Sequence, residues 1–277
     1  MLIVCLAGTC VRAQIQDTVP SAKLYRVKPI ISIPVIATGF YFGQEQLKEF
    51  RDKTPLTQMD LDNLNPDDVP GIDQWGLRQD PAKAEAASKA SDVLFIAGQV
   101  APFTLFVFKE YRKEWVDISL MYLEAQMLQG LFYGYAPFGP AANDRKRPRV
   151  YYDEVDFEDR TNSNAQNSLF SGHASTAATG FYFYVKMVVD HNPDLTGGQK
   201  ALIYGAATVP GIATAILRVR GLYHFPTDTA IGLGVGAISG ILVPEFHKWW
   251  QRKHETKAMV TPLYGGGAAG VGFTLQF

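Results

Sequence analysis

Seven residues at three predicted helix ends are of types that bind an oxyanion or transfer a group to and from it. They are Arg147, Ser171, Gly172, His173, Arg218, His224 and Asp228. Arginine presents a planar fork of N–H donors that suits phosphate. Histidine supplies a nucleophile or a proton donor near neutral pH. The set is therefore consistent with chemistry on a phosphate ester.

The residues around the two histidines are placed to support such chemistry. Ser171 and Gly172 stand where a helix is expected to begin, so the serine can cap it and the free backbone N–H groups can attract an anion. Pro226 suits the first turn of the next helix, which puts Asp228 within reach of the His224 ring. A carboxylate on one ring nitrogen would fix the tautomer and leave the other nitrogen free to attack.

Each part of this pattern also has an ordinary interpretation. A Ser-Gly-His run before a helix is commonly a cap, and a histidine with an aspartate one helical turn later is commonly a surface pair. Their joint occurrence at corresponding ends of successive apolar segments favours a functional site.

Apolar segments, each expected to be helical, must position these residues. They cover residues 29–43, 92–108, 115–138, 172–189, 201–217 and 227–244. Most run about 15–18 residues, at the short end of what a ~30 Å hydrocarbon core requires, so a buried soluble bundle stays an alternative. Gly232, Gly236 and Gly240 form a small-residue face typical of close helix packing in lipid. We therefore predict an all-α helical bundle with about five or six transmembrane helices.

Charge placement predicts the orientation of this bundle. Lysines and arginines collect in the connectors 109–114 and 186–200 and in the tail at 247–257, which the positive-inside rule places in the cytoplasm. The connectors 45–91, 139–171 and 218–226, which hold the candidate site, then face outward together. Segment 29–43 is short and contains Pro29 and Pro34, so it either lies along the interface or crosses after an uncleaved N-terminus.

The remaining segments complete the predicted organisation. Residues 1–14 resemble the latter part of a secretory signal, and residues 15–91 form an N-terminal segment with an extracytoplasmic cap. A catalytic domain follows over 92–250, and the glycine-rich tail at 251–277 is either extended or one short hairpin. The net charge of −1 gives no indication of nucleic-acid binding, and the only cysteines, Cys5 and Cys10, leave the rest of the chain without a thiolate metal site.

The motifs resemble those of the type 2 phosphatidic acid phosphatase (PAP2) superfamily, which includes bacterial acid phosphatases and vanadium haloperoxidases. Its motifs are KxxxxxxRP, PSGH and SRxxxxxHxxxD. The chain matches the first at Arg147-Pro148, the second at Phe170-Ser171-Gly172-His173, and the third at Leu217-Arg218, His224 and Asp228. The resemblance covers about residues 90–245 and implies a helical bundle of the PAP2/acid phosphatase type.

The resemblance also implies a role for each residue. His224 would attack phosphorus and form a phosphohistidine, Asp228 would orient it, and His173 would protonate the leaving oxygen. The phosphoryl oxygens would be held by Arg147, Ser171, the Gly172 amide and Arg218. The phosphatase branch of the family requires no metal and no other cofactor.

Three positions depart from the family pattern. Pro140 stands where the lysine of the first motif is expected, and Arg145, Lys146 or Arg149 could replace that cation. Phe170 stands for proline and Leu217 for serine, which are milder changes.

We therefore expect a PAP2-type phosphatase that hydrolyses a lipid phosphomonoester or pyrophosphate. Its partners would be the phosphorylated lipid and the bilayer, and it would lie in a bacterial cell envelope, in the inner membrane with the active site facing the periplasm. A soluble periplasmic acid phosphatase with the same site is one alternative. A non-catalytic phospholipid-binding relative is the other, because the motif lysine is replaced by Pro140.

Overall fold

The computed structural model describes residues 23–254 and, at the two ends, the backbone of residues 2–6, 9–13, 257–265 and 268–276. Each predicted apolar segment forms a long helix. These helices are α1 (Pro29–Arg51), α3 (Ala84–Thr104), α5 (Trp115–Tyr135), α7 (Gly172–Asp190), α8 (Gly197–Arg220) and α9 (Pro226–His254). The prediction of an all-α helical bundle is confirmed.

Shorter elements connect and flank these helices. Three short helices lie in the connectors: α2 (Gln58–Asp62), α4 (Lys109–Arg112) and α6 (Phe157–Thr161). Strand β1 (Leu2–Leu6) pairs antiparallel with β2 (Thr9–Ala13), and β3 (Lys257–Gly265) pairs antiparallel with β4 (Ala268–Gln276). Of the two structures predicted for the C-terminal tail, extended or hairpin, the hairpin is the one observed. The predicted secretory signal at 1–14 includes residues outside the described part and stays a prediction.

Helix α7 lies at the centre of the bundle because small residues let its neighbours approach its backbone. A Cβ atom on Gly98 of α3 would lie 2.7 Å from the Ala177 carbonyl oxygen. On α9, a Cβ at Gly232, Gly236 or Gly240 would lie 2.5, 2.2 or 2.6 Å from carbonyl oxygens of α7. The small-residue face predicted for the last helix is thus its contact with α7, and it allows the close crossing typical of helices in lipid.

The candidate-site connectors meet at one end of the bundle, as the alternation of segments predicts. The cap segment reaches the last connector, where Asp73 Oδ1 accepts a hydrogen bond from the Thr227 amide at 2.9 Å. It also reaches the middle connector, where Asn167 donates to the Phe50 carbonyl at 3.2 Å. We call this end of the bundle the site end.

Helix α1 follows the bundle from one end to the other. Just before it begins, the Leu24 and Val27 amides donate to Glu114 and Asp117, which lie at the end opposite the site. The last turn of α1 reaches the site end, where Phe50 is buried. Helix α1 thus contacts both ends of the bundle, and Pro34 is accommodated inside the helix.

Within the described residues, three helical stretches are long and apolar enough to cross a membrane: Pro81–Val107, Gly197–Arg220 and Pro226–His254. Large apolar side chains cover the outward faces of the bundle, and Ile30, Val93 and Leu202 are 85%, 66% and 74% exposed. Contiguous exposed apolar surface of this kind marks contact with a membrane. The protein is therefore membrane-associated.

Candidate active site

A cavity of about 360 Å³ opens at the site end between α3, α5, α7 and the loop that follows α8. Five of the seven predicted site residues line it: Arg147, Gly172, His173, Arg218 and His224. The other two lie directly behind its wall. Ser171 caps α7 through its Oγ atom, which accepts from the Ala174 amide at 3.3 Å, and its own amide donates to the Asp228 carbonyl at 3.1 Å. The structure thus brings the whole predicted set together.

His224 is held by a backbone carbonyl. Its Nδ1 atom lies 2.6 Å from the carbonyl oxygen of Ser168, and the ring is only 2% exposed. Because a carbonyl can only accept, Nδ1 carries the proton and Nε2 is left with a free lone pair. Burial, followed by the charges of Arg147 and Arg218, lowers the pKa of His224 well below its usual range. The ring is therefore neutral at pH 7.

Asp228 supports this histidine indirectly, which corrects the expected direct contact. Its Oδ2 atom accepts from the Ser168 hydroxyl at 2.6 Å and from the Phe225 amide at 2.8 Å. Ser168 thus accepts a hydrogen bond from the His224 ring on its carbonyl oxygen and donates one from its hydroxyl to Asp228. The Asp228 carboxylate fixes the backbone turn next to His224, whereas the Ser168 carbonyl fixes the orientation of the His224 ring.

A buried carboxylate from the cap, Asp73, completes this network and was not found from the sequence. It is 1% exposed and accepts from the Thr227 hydroxyl at 2.8 Å and from Arg145 at 2.6 Å. Arg145 also donates to Asp228 at 2.6 Å. The cap therefore clamps the first turn of α9. No local motif marks Asp73, because its partners lie far away along the chain.

The cavity holds arginines with few counter-charges. The Arg147 guanidinium donates to the Asn164 carbonyl and side chain at 2.8 and 3.0 Å, which are neutral partners. Burial, with smaller contributions from neighbouring arginines, lowers its pKa to about 9. Arg218 donates to the Ser91 hydroxyl at 3.3 Å, its nearest carboxylate oxygen is 3.8 Å away on Asp92, and its Nε atom is buried without a hydrogen-bond partner among the described residues. Such donors are suited to an incoming anion.

Three arginines surround one tyrosine, Tyr223, at the edge of the cavity. The guanidinium carbons of Arg149, Arg218 and Arg147 lie 3.8, 3.9 and 5.4 Å from the ring centroid. The contact with the ring face favours each cation and holds Arg149 beside the cavity, although Arg149 does not line it.

The missing motif lysine has no direct substitute in the cavity lining. Of the three candidates, Arg145 is engaged by Asp73 and Asp228, Arg149 lies against Tyr223, and Lys146 does not line the cavity. The loop at Pro140 is instead closed by Lys53, whose Nζ atom donates to the Pro140 carbonyl at 2.8 Å.

His173 is paired with an acidic residue that the sequence could have revealed. Its Nε2 atom lies 3.3 Å from Asp92 Oδ1, and its ring packs on Phe95 at 4.6 Å between centroids. This carboxylate favours the protonated ring, but burial and the charge of Arg218 outweigh it and lower the pKa of His173. Asp92 begins a predicted apolar segment at the same end as the other site residues, which is the signal that sequence reasoning missed.

A second, larger cleft of about 910 Å³ joins the cavity from the side. The two share Tyr133, Gly172 and His173. Its walls come from α1, α3, α5 and α7 and are largely apolar. They include Phe40, Leu47, Phe95, Val100, Phe103 and Leu123. The described residues contain no cluster of three or more possible metal ligands.

The fold and the site define a helical, membrane-associated protein with a buried cationic cavity that contains two histidines. Residues 118–252 match the family model of the PAP2 superfamily, so the chain carries a PAP2 domain and the resemblance drawn from its motifs is confirmed. Membership of this superfamily suggests phosphatase-type activity. No curated protein and no solved structure matches the chain.

Proposed function

We propose that the protein hydrolyses a lipid phosphomonoester or diphosphate through a phosphohistidine on His224. One observation carries this proposal: a neutral histidine with its lone pair on Nε2 lies in a cavity with two arginines that lack close counter-ions. A phosphoryl group would supply the missing negative charge, and preorganised donors stabilise the charge that builds up in its transition state.

The reaction would proceed in two displacements. In the first, the Nε2 lone pair of His224 attacks phosphorus, the bond from phosphorus to the leaving oxygen breaks, and that oxygen takes a proton from His173. In the second, water attacks phosphorus, gives a proton to His173, and breaks the phosphorus–nitrogen bond. The products are the lipid alcohol, or the lipid monophosphate, and inorganic phosphate.

Several groups would support these steps. Asp92 and the negative charge of a bound phosphate would favour the protonated form of His173 that the first step needs, against the burial and the Arg218 charge that lower the pKa of His173 in the free protein. Arg147 and Arg218 line the cavity and would bind the phosphoryl oxygens, together with the Gly172 amide at the start of α7. Asp228 and Ser168 would keep the nucleophile in place.

The apolar cleft supports a lipid as the substrate. It leads to His173, the proposed donor to the leaving oxygen, so the part of the substrate that departs would lie among apolar side chains. A water-soluble ester would leave these walls unused, which argues against the soluble acid phosphatase. The basic connectors at the opposite end of the bundle favour an inner-membrane location with the site facing the periplasm.

The test is phosphate release by the purified protein in detergent. The substrates would be phosphatidic acid, phosphatidylglycerol phosphate, a polyprenyl diphosphate, a lipid A phosphate and water-soluble p-nitrophenyl phosphate. His224→Ala is compared with His254→Ala, because His254 is an exposed histidine at the opposite end.

We expect release from at least one lipid, lost in His224→Ala and kept in His254→Ala. Faster turnover of p-nitrophenyl phosphate than of every lipid would favour the soluble-substrate alternative. Folded protein that binds lipid phosphate but releases none would favour the non-catalytic alternative.

A further inference from the structure

A separate cavity of about 390 Å³ lies between α1, α5 and α9, and shares no lining residue with the cavity that holds His173 and His224. Its walls are mostly apolar and include Ile31, Val35, Met127, Leu128, Val243 and Phe246. Ile31 and Val35 are about half exposed, so the cavity opens on the outward surface of the bundle. Its volume falls within the range of small-molecule and lipid-chain sites.

The mouth of this cavity is positively charged. Arg26 and Lys28 line it and are exposed, and they lie at the end of the bundle opposite the catalytic cavity. The last turn of α9 adds Arg252, Lys253 and His254 at the same end. Trp250 also lines the cavity, and tryptophan is typical of the depth where a bilayer meets water.

The N-terminus of α1 adds a second source of positive potential at this mouth. Lys28 is its N-cap residue and makes no side-chain capping bond, and the first turn contains no acidic residue. Pro29 has no N–H, and the Ile31 and Ser32 amides donate to the Lys28 carbonyl, so this end attracts a negative group mainly through the helix dipole.

Among the described residues, the only acidic side chain that lines the cavity is already paired. Glu124 forms a hydrogen bond with His247, and both side chains are largely buried. Because Glu124 and His247 bind each other, the rest of the cavity interior presents mainly apolar side chains to a ligand. The cavity thus combines an apolar interior with a cationic mouth at the depth of a membrane interface.

We propose that this cavity binds an anionic phospholipid. The headgroup phosphate would lie against Arg26, Lys28 and the N-terminus of α1, and one acyl chain would fill the space between α1 and α9. Basic pockets between transmembrane helices on the cytoplasmic side are suited to anionic headgroups. The site is distinct from the catalytic cavity, and its existence does not depend on the proposed hydrolysis.

The full chain is incubated in detergent with equal amounts of phosphatidylglycerol and phosphatidylcholine that have identical acyl chains. Native mass spectrometry then measures which lipid stays bound when the detergent is removed. Two variants change the site in different ways: Arg26→Gln with Lys28→Gln removes charge, and Val35→Trp fills the interior. The matched control is Lys109→Gln with Lys113→Gln, which removes two exposed charges at the same end that do not line the cavity.

We expect the wild type and the control to retain phosphatidylglycerol in preference to phosphatidylcholine. The charge variant should lose about fivefold in affinity for each charge removed, and Val35→Trp should lose the bound lipid while it keeps its helical circular dichroism. Equal retention in all variants would overturn the proposal. So would retention without preference for the anionic lipid, because an apolar chain alone would then occupy the cavity.

Discussion

The two ends of the bundle both contain buried charges, but they balance them differently. At the end opposite the site, Lys186 is 3% exposed and lies 2.6 Å from Asp190 while also contacting Glu245. Lys248 lies 2.9 Å from each of these two carboxylates. Every charge in this cluster has an opposite partner at contact distance.

At the site end, the two arginines that line the cavity have mainly neutral partners. Arg147 is bound by Asn164, and Arg218 has a serine hydroxyl and one carboxylate oxygen at 3.8 Å. A buried cation without a close counter-ion costs free energy unless a ligand supplies the charge. We infer that the balanced cluster stabilises the bundle, whereas the arginines of the cavity are placed to bind an anion.

The largest expected effect comes from breaking the balanced cluster. Lys186→Met should lower the free energy of unfolding by about 3–5 kcal/mol, because it leaves buried carboxylates short of a partner. Denaturation in detergent, followed by circular dichroism, measures this loss. Lys113→Met, at an exposed position, is the control and should change little. A Lys186→Met protein as stable as the wild type would show that the cluster is not structural.

Removing a cation from the unbalanced end should instead affect activity. Arg218→Gln should lower kcat/KM about 10²–10³-fold, the usual loss when one transition-state donor is removed. Without ligand, the thermal midpoint should stay or rise, since a buried charge whose nearest carboxylate oxygen is 3.8 Å away is gone. Added orthovanadate should stabilise the wild type and not the variant. A large loss of stability without ligand would contradict the contrast between the two ends.

A smaller loss of activity is expected when the cap no longer holds the site. Asp73→Asn removes a charged acceptor from Arg145 and Thr227, so we expect a decrease of about 1.5–3 kcal/mol in folding stability, in transition-state stabilisation, or shared between them. Asp68→Asn, at an exposed acid in the same cap, serves as the control. The check is kcat and thermal midpoint measured on both variants. Wild-type values of both in Asp73→Asn would remove Asp73 from the positioning network.

The smallest expected effect is on the pH dependence of stability. Because the pKa of folded His224 is lowered, the unfolded chain binds a proton below about pH 6.5 that the folded chain does not. Stability should therefore fall as the pH drops from 7 toward 5, by about 1 kcal/mol per pH unit from this group. His224→Gln should show a shallower slope in thermal midpoints measured across this range. Identical slopes would indicate that the buried ring titrates normally.

Much of this arrangement could be predicted from the sequence, because helices and motifs are local signals. The apolar segments gave the long helices, and the motifs predicted the seven residues that the structure brings to one end. Asp73 could not be found, since its partners become neighbours only when the cap folds over α9. The support of His224 by Ser168 was also hidden, because a backbone carbonyl has no residue signature.

The direction of α1 was another property that only tertiary contacts decide. Its prolines suggested an interfacial segment, but the amides before the helix bind Glu114 and Asp117, and this fixes its start at the end opposite the site. Pro34 is tolerated near the N-terminus of the long helix.

Rapid-quench labelling shows whether phosphoryl transfer occurs on His224. The protein is mixed with the lipid it hydrolyses, labelled with ³²P on the transferred phosphate, and quenched in alkali within milliseconds. We predict a protein-bound label that is stable in alkali, labile in acid, located on the peptide containing His224, and absent in His224→Ala. Steady turnover of the lipid with no label on His224 at any quench time would contradict the account.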